Sequence, residues 1–287
     1  MARTGSTSLR LLTPRDLDAV DRLRAQAGWN QTLADWQRFL LLEPAGCFVL
    51  EVDGRVVGSA TTTRYGADVA WIGMVIVDPE YRRRGYGRRL LERAIEYLRS
   101  VGVGSIALDA TPQGEKLYRE LGFRSAWGLA RWRGRLPAAR PVESTAVREL
   151  RATDLPALAA LDRRAFGADR GRLIESLAQH GGRTLVAERE GTVKGFGLVR
   201  PGAEVLYMGP LVAESAAVAR DIIQTLSRLQ PETEVVWDIP MSNVAAVSLA
   251  EASGFRQERT LERMVLGEDL PAHEPELQYA IAGPALG

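Results

Sequence analysis

Residues 70–98 read Ala70-Trp-Ile-Gly-Met-Val75-Ile-Val77-Asp-Pro79-Glu-Tyr-Arg82-Arg83-Arg84-Gly85-Tyr86-Gly87-Arg88-Arg89-Leu90-Leu91-Glu-Arg-Ala94-Ile95-Glu-Tyr-Leu98. The apolar run 70–77 suits a strand buried on both faces. Leu90, Leu91, Ala94, Ile95 and Leu98 then recur at helical spacing as one apolar stripe. Between strand and helix, Gly85 and Gly87 let the backbone turn with its amides bare. The first amides of a helix have no partner within it and attract anions. With arginines at 82, 83, 84, 88 and 89 around that point, the segment is predicted to hold a ligand with several phosphates, such as a diphosphate cofactor. A dinucleotide fingerprint would want glycine or alanine at 90, where Leu90 stands. A solvated helix start and a nucleic-acid patch are the other readings of such a cluster.

Working outward, the chain repeats itself. Arg10, Asp16, Leu17, Ala19 and Leu23 recur in step as Arg148, Asp154, Leu155, Ala157 and Leu161. The stretch from Glu51 through Gly54 to Gly58 parallels Glu188 through Gly191 to Gly195, an acidic-glycine turn between apolar runs that predicts a hairpin in each half. Gly122-Phe123-Arg124 parallels Gly254-Phe255-Arg256. Three matches in one order indicate an internal duplication. The Pro- and Ala-rich residues 136–146 read as a linker, giving units at 1–135 and 147–287. The tail ends in Tyr279-Ala-Ile-Ala, which either adds a short strand or hangs free.

Composition bounds the partners. A length of 287 residues suits roughly two domains of about 150. Its 37 basic and 36 acidic side chains give +1, so neither nucleic acid nor an anionic membrane is expected as the main partner. Cys47, the only cysteine, excludes an intrachain disulfide and a thiolate metal cluster and fits a reducing compartment, the cytoplasm by default. The two histidines, His180 and His273, stand apart, and no Gly-x-Ser-x-Gly elbow occurs, so neither metal hydrolysis nor a serine triad is expected. No apolar signal core opens the chain, and the run 70–77 is too short to span a membrane.

Arg82-Arg83-Arg84-Gly85-Tyr86-Gly87 after the strand end at Val77 resembles the R-x-x-G-x-G signature of the GNAT superfamily of N-acetyltransferases. A second signature, N-x-x-A-x-x-L-Y-x-x-x-G-F, is matched by Thr111 through Leu117, Tyr118, Gly122 and Phe123, with Thr111 and Gly114 in place of Asn and Ala. The resemblance implies an α/β (α+β) chain of two tandem GNAT-like units. Each would be a mixed, mostly antiparallel sheet flanked by helices, with two strands splayed apart for the cofactor.

The same resemblance implies that acetyl-CoA lies along Val75 and Val77, with its phosphates near Arg82, Arg83, Arg84, Gly85, Tyr86, Gly87 and Arg88 and with Thr111 nearby. It makes Tyr118 the acid that protonates the departing thiolate. The usual carboxylate base on the first splayed strand is missing, which leaves Asp109 ahead of Asp78 and Glu51, or water alone. In the second half the pattern at Asn243 to Phe255 has Ala250 where the tyrosine would stand, and no arginine-glycine loop follows Met208. That half resembles the degenerate copies of tandem acetyltransferases, which shape the structure while the other copy works.

Trp29 and Trp36 lie in the segment expected to set selectivity, as a wall against the substrate or as core. By pseudo-symmetry, Asp238 and the Met208-Gly-Pro210 stretch are expected to face the cleft. The reading is an acetyl-CoA-dependent N-acetyltransferase acting on a primary amine of a small molecule by direct attack in a ternary complex, as monomer or homodimer. The alternative is a non-catalytic CoA-binding sensor or partner-binding protein.

Overall fold

Asp53-Gly54 and Glu190-Gly191 both hold φ above zero at two successive residues, the geometry of a tight turn that matches strand twist. Each closes a hairpin, so the local reading of both turns is met. The computed structural model describes residues 6–137, 146–180 and 182–287. Residues 138–145 of the expected linker lie outside the described residues.

The first half runs β1 (Thr7–Leu11), α1 (Leu17–Gln26), α2 (Leu33–Leu42), β2 (Phe48–Val52), β3 (Arg55–Tyr65), β4 (Val69–Val77), α3 (Tyr86–Ser100), β5 (Ser105–Ala110), α4 (Pro112–Glu120) and β6 (Arg124–Arg135). The second repeats that order as β7 (Ala146–Glu149), α5 (Leu155–Phe166), α6 (Gly171–His180), β8 (Arg183–Arg189), β9 (Thr192–Arg200), β10 (Leu206–Ala213), α7 (Ala216–Leu229), β11 (Glu234–Pro240), α8 (Val244–Ala252) and β12 (Arg256–Gly267), and adds β13 (Gln278–Ala280). The repeat extends to side chains. Arg10 bonds Asp16 at 2.7 Å and Glu51 at 2.6 Å, and Arg148 bonds Asp154 at 2.6 Å and Glu188 at 2.5 Å. In both copies the arginine ties the first strand to the helix start and to the hairpin.

The strands form one continuous sheet in the order β1-β2-β3-β4-β5-β12-β6-β11-β10-β9-β8-β7. The last strand of each half has crossed into the other: β12 pairs with β5 and β6, and β6 pairs with β12 and β11, all antiparallel. The core is correspondingly shared. Trp71, Met74 and Ala107 of the first half pack in one cluster with Phe166, Leu173, Leu198 and Val265 of the second. Under α3, Leu90, Leu91, Ala94, Ile95 and Leu98 are buried against β2, β4 and β5. Each large aliphatic side chain there contributes about 1.5–3 kcal/mol of burial.

Two neighbouring parallel strands diverge in each half. β4 pairs with β5 only from Val69↔Ser105 to Trp71↔Ala107. A bulge then turns β4 away: its register with β3 shifts between Ser59↔Ile76 and Thr61↔Gly73, Met74 takes φ 49°, and the Ser59 hydroxyl donates to the Met74 carbonyl at 2.8 Å. In the second half β10 and β11 pair only at Leu206↔Val235 and Tyr207↔Val236. There β13 takes the vacated edge, pairing Leu211↔Ala280 and Val212↔Gln278. The tail therefore adds a strand. Beyond β13 it is pinned across the centre, with the Trp71 indole donating to the Pro284 carbonyl at 3.0 Å and the Tyr65 hydroxyl to that of Leu286 at 2.6 Å.

Candidate active site

The gap between β4 and β5 opens into a groove of about 940 Å³ that runs from the start of α3, past Val75 and Val77, to Thr111 and Tyr118 of α4. Gly85 caps α3 with φ 78°, a conformation that costs other residues about 1–2 kcal/mol. Gly87 has a different reason. A Cβ there would meet nothing of the protein closer than 3.6 Å, so packing does not require glycine. Gly87 lines the groove at the first turn of α3.

Arg82, Arg83, Gly85, Tyr86, Gly87 and Arg88 all line the groove. Arg82 is steadied by a bond from its Nε to the Val77 carbonyl at 3.1 Å, and Arg88 pairs with Glu120 across the groove mouth. Arg84 departs from the expectation. It lies over the Tyr81 ring at 5.1 Å and donates to the Glu80 carbonyl, which holds it off the groove wall.

The Tyr118 ring is half-buried, meets Phe123 edge-on at 6.0 Å and faces both the groove and a smaller inner cavity. Burial pushes its pKa up to about 12, so the hydroxyl keeps its proton through neutral pH. Gly114 explains the glycine in place of alanine in the second signature: a Cβ there would come within 2.7 Å of the tyrosine ring.

Two expectations are corrected. Asp109 does line the groove, yet its carboxylate is fully buried and bound at both oxygens by Arg263 of β12, at 2.8 and 3.0 Å. Arg263 in turn is sandwiched between the Trp71 and Trp127 rings at 4.3 and 4.2 Å. Burial outweighs Arg263 and pushes the Asp109 pKa up to about 6, while both carboxylate oxygens are already engaged by the guanidinium. Asp238 does not face the cleft either. It is fully buried, chelated by Arg131 at 2.7 and 2.9 Å, and accepts from the Tyr207 hydroxyl. The lesser candidates are committed as well: Asp78 is buried against Arg55 at 3.0 Å, and Glu51 belongs to the Arg10 cluster.

Trp29 lines both cavities, while Trp36 is fully buried core. The far wall comes from residues that local reading missed: Arg259 and Leu261 of β12, with Pro284 and Ala285 of the tail. One signal was present. Leu261, Arg263 and Val265 alternate along β12, which places a guanidinium on an apolar face and requires a buried partner.

Among the described residues, the second half lacks the features that open the groove in the first. Only two residues separate β10 from α7, the first turn of α7 is capped by Ser215 accepting from the Val218 amide, and β13 fills the strand gap.

Family models follow the duplication: one described as Acetyltransferase (GNAT) family matches residues 15–123, and one described as Acetyltransferase (GNAT) domain matches residues 158–280. The chain belongs to the GNAT family of acetyltransferases, in tandem form. It is 28% identical over 270 residues to YitH, an uncharacterized N-acetyltransferase of Bacillus subtilis, covering 93% of each chain. To the holothin acyltransferase of a Pseudoalteromonas species it is 24% identical, covering 90% of this chain and 87% of the relative. A solved structure of a candidate acetyltransferase from Pyrococcus horikoshii superposes with a TM-score of 0.84 at 29% identity, over 98% of this chain and 96% of that one.

Proposed function

We propose that the chain transfers an acetyl group from acetyl-CoA to the primary amine of a small molecule, by direct attack in a ternary complex. The observation that carries this is the single groove joining the bare amides at Gly85–Arg88 to the Tyr118 hydroxyl and the inner cavity beyond it. The room at Gly87 and the arginines beside it fit a diphosphate, and the β4 edge left by β5 fits an extended amide-bearing arm. Bound acetyl-CoA supplies the activated acetyl carbon.

In this reading Arg82, Arg83 and Arg88 hold the phosphates, Val75 and Val77 orient the arm, and Tyr118 gives its proton to the departing sulfur. Trp29 walls the acceptor. With Asp109, Asp78 and Glu51 bound to arginines, the amine loses its proton to water along the open groove. Cys47 favours direct attack over a thioester relay, because it is fully buried and its thiol is pushed up to about 12 by burial. The name of the holothin acyltransferase supports a small-molecule acceptor.

Tyr118→Phe tests the reading. Turnover of the best amine in a panel falls by roughly 100-fold or more, while acetyl-CoA affinity by calorimetry stays within about threefold. Unchanged turnover removes Tyr118 from the chemistry.

A further inference from the structure

The inner cavity, about 50 Å³ beyond Tyr118, meets a charge that acetyl transfer as described leaves unused. Its lining is mixed: Trp29, Ile72, Met74, Leu108 and Leu261 form an apolar side, and Gln31, Asp109, Thr111, Tyr118 and Arg259 a polar one. Arg259 of β12 stands where this cavity joins the groove. Among the described residues no carboxylate lies within ion-pair distance of Arg259, and its Nε is shut from solvent without an acceptor.

The carboxylates nearest it are bound to other side chains, although the Arg133 that holds Glu258 also serves Glu204 and Glu234. Asp238 is chelated by Arg131 and also bound by Tyr207, and Glu258 is held by Arg133 at 3.0 Å. Burial and the Arg131 charge pull the Arg259 pKa down further than the Asp238 and Glu258 charges raise it. The imbalance extends inward. Asp35 faces two arginines, Arg38 at 2.7 Å and Arg200 at 3.7 Å, and Asp109 faces Arg263. Among the enclosed side chains here, Arg38, Arg200, Arg131 and Arg263 face Asp35, Asp238 and Asp109, four guanidinium groups against three carboxylates, with the half-buried Arg259 beside them. A surplus of positive charge where water reaches poorly is costly until an anion enters.

We infer that the acceptor is a primary amine carrying an oxyanion, carboxylate or phosphate, and that Arg259 binds this group while the amine faces Tyr118. This rests on the acetyl-transfer reading of the same groove and adds to it the charge of the acceptor. The fork of a guanidinium suits either oxyanion, and the apolar side of the lining accommodates the carbon skeleton between the two polar ends.

The test uses matched pairs on the full chain: alanine against alaninamide, and phosphoethanolamine against ethanolamine, with rates referred to the deprotonated amine. One charge-assisted bond makes kcat/KM for the charged member of a pair roughly 10- to 100-fold the larger, mainly through KM. The pair that shows the preference tells carboxylate from phosphate. Arg259→Gln brings the ratio close to one, and Arg259→Lys keeps part of it. Equal use of both members by the unaltered chain, or a ratio that survives Arg259→Gln, overturns the assignment.

A binding measurement keeps the two readings apart. Calorimetry on the CoA-loaded protein of N-acetylalanine against N-acetylalaninamide, and of N-acetylphosphoethanolamine against N-acetylethanolamine, is expected to favour the anion in at least one pair, and Arg259→Gln to abolish the preference. No preference in either pair overturns the Arg259 site even if amines are acetylated. A preference without acetylation of any amine overturns the transferase reading and leaves the anion site standing.

Discussion

Asp109→Asn separates a structural carboxylate from a chemical one. The change leaves the Arg263 guanidinium, 2% exposed, without its counter-ion. Removing one partner of a buried pair costs about 3–5 kcal/mol. The Trp71 and Trp127 rings on either side of Arg263 keep part of its stabilisation, which places the expected loss near the lower end, about 3 kcal/mol. For a chain of this size that lowers the melting temperature by on the order of 10 °C. Urea denaturation should show the midpoint moving, and the double variant Asp109→Leu with Arg263→Met should recover most of the loss, since an apolar replacement of a buried pair is often neutral. Thiol release from acetyl-CoA, measured well below the variant's melting temperature, should keep kcat within about threefold, against the 10²–10⁴-fold that loss of a general base brings. A 100-fold fall in kcat with an unmoved urea midpoint would refute this reasoning and return Asp109 to the chemistry.

The cofactor cradle and the acid response can be tested in the same way. Gly87→Ala puts a methyl group where the protein has room, so thermal stability should hold or rise slightly, while acetyl-CoA affinity by calorimetry should fall at least tenfold if glycine is there to let the cofactor's phosphates approach the helix start. Hydrogen bonds from Arg10 hold the Asp16 carboxyl down at about 2, so its contribution is present above about pH 4 and is lost as pH falls toward 2. Arg10 is more than a third exposed, which limits the effect to about 1 kcal/mol after screening; Arg10→Met should flatten stability against pH in that window, and an unchanged acid profile would show that the bond contributes nothing.

Local features were legible and distant ones were not. The strand, glycine loop and helix of residues 70–98 and both hairpin turns follow from short-range rules, because a turn type or a helical stripe is written within a few residues. The pairing of β12 with β5 is not of that kind. An alternating strand specifies which face is apolar but not which neighbour it joins, so nothing near Asp109 announced a partner 154 residues away. The error at Asp238 has the same source, since its partner Arg131 lies on the strand that the first half lends to the second. Arg259 was missed because an arginine near a strand end reads as solvated until the opposing wall is known.

The exchange of last strands fixes who supplies what. One repeat provides the groove, and the other provides part of its far wall, through Arg259 and Leu261. Because both lie on one polypeptide, their stoichiometry is one to one at any dilution. The exchange also makes the halves poor candidates for separate expression: a fragment ending after β6 would present β5 and β6 as unpaired edges, with no β12 to lie between them.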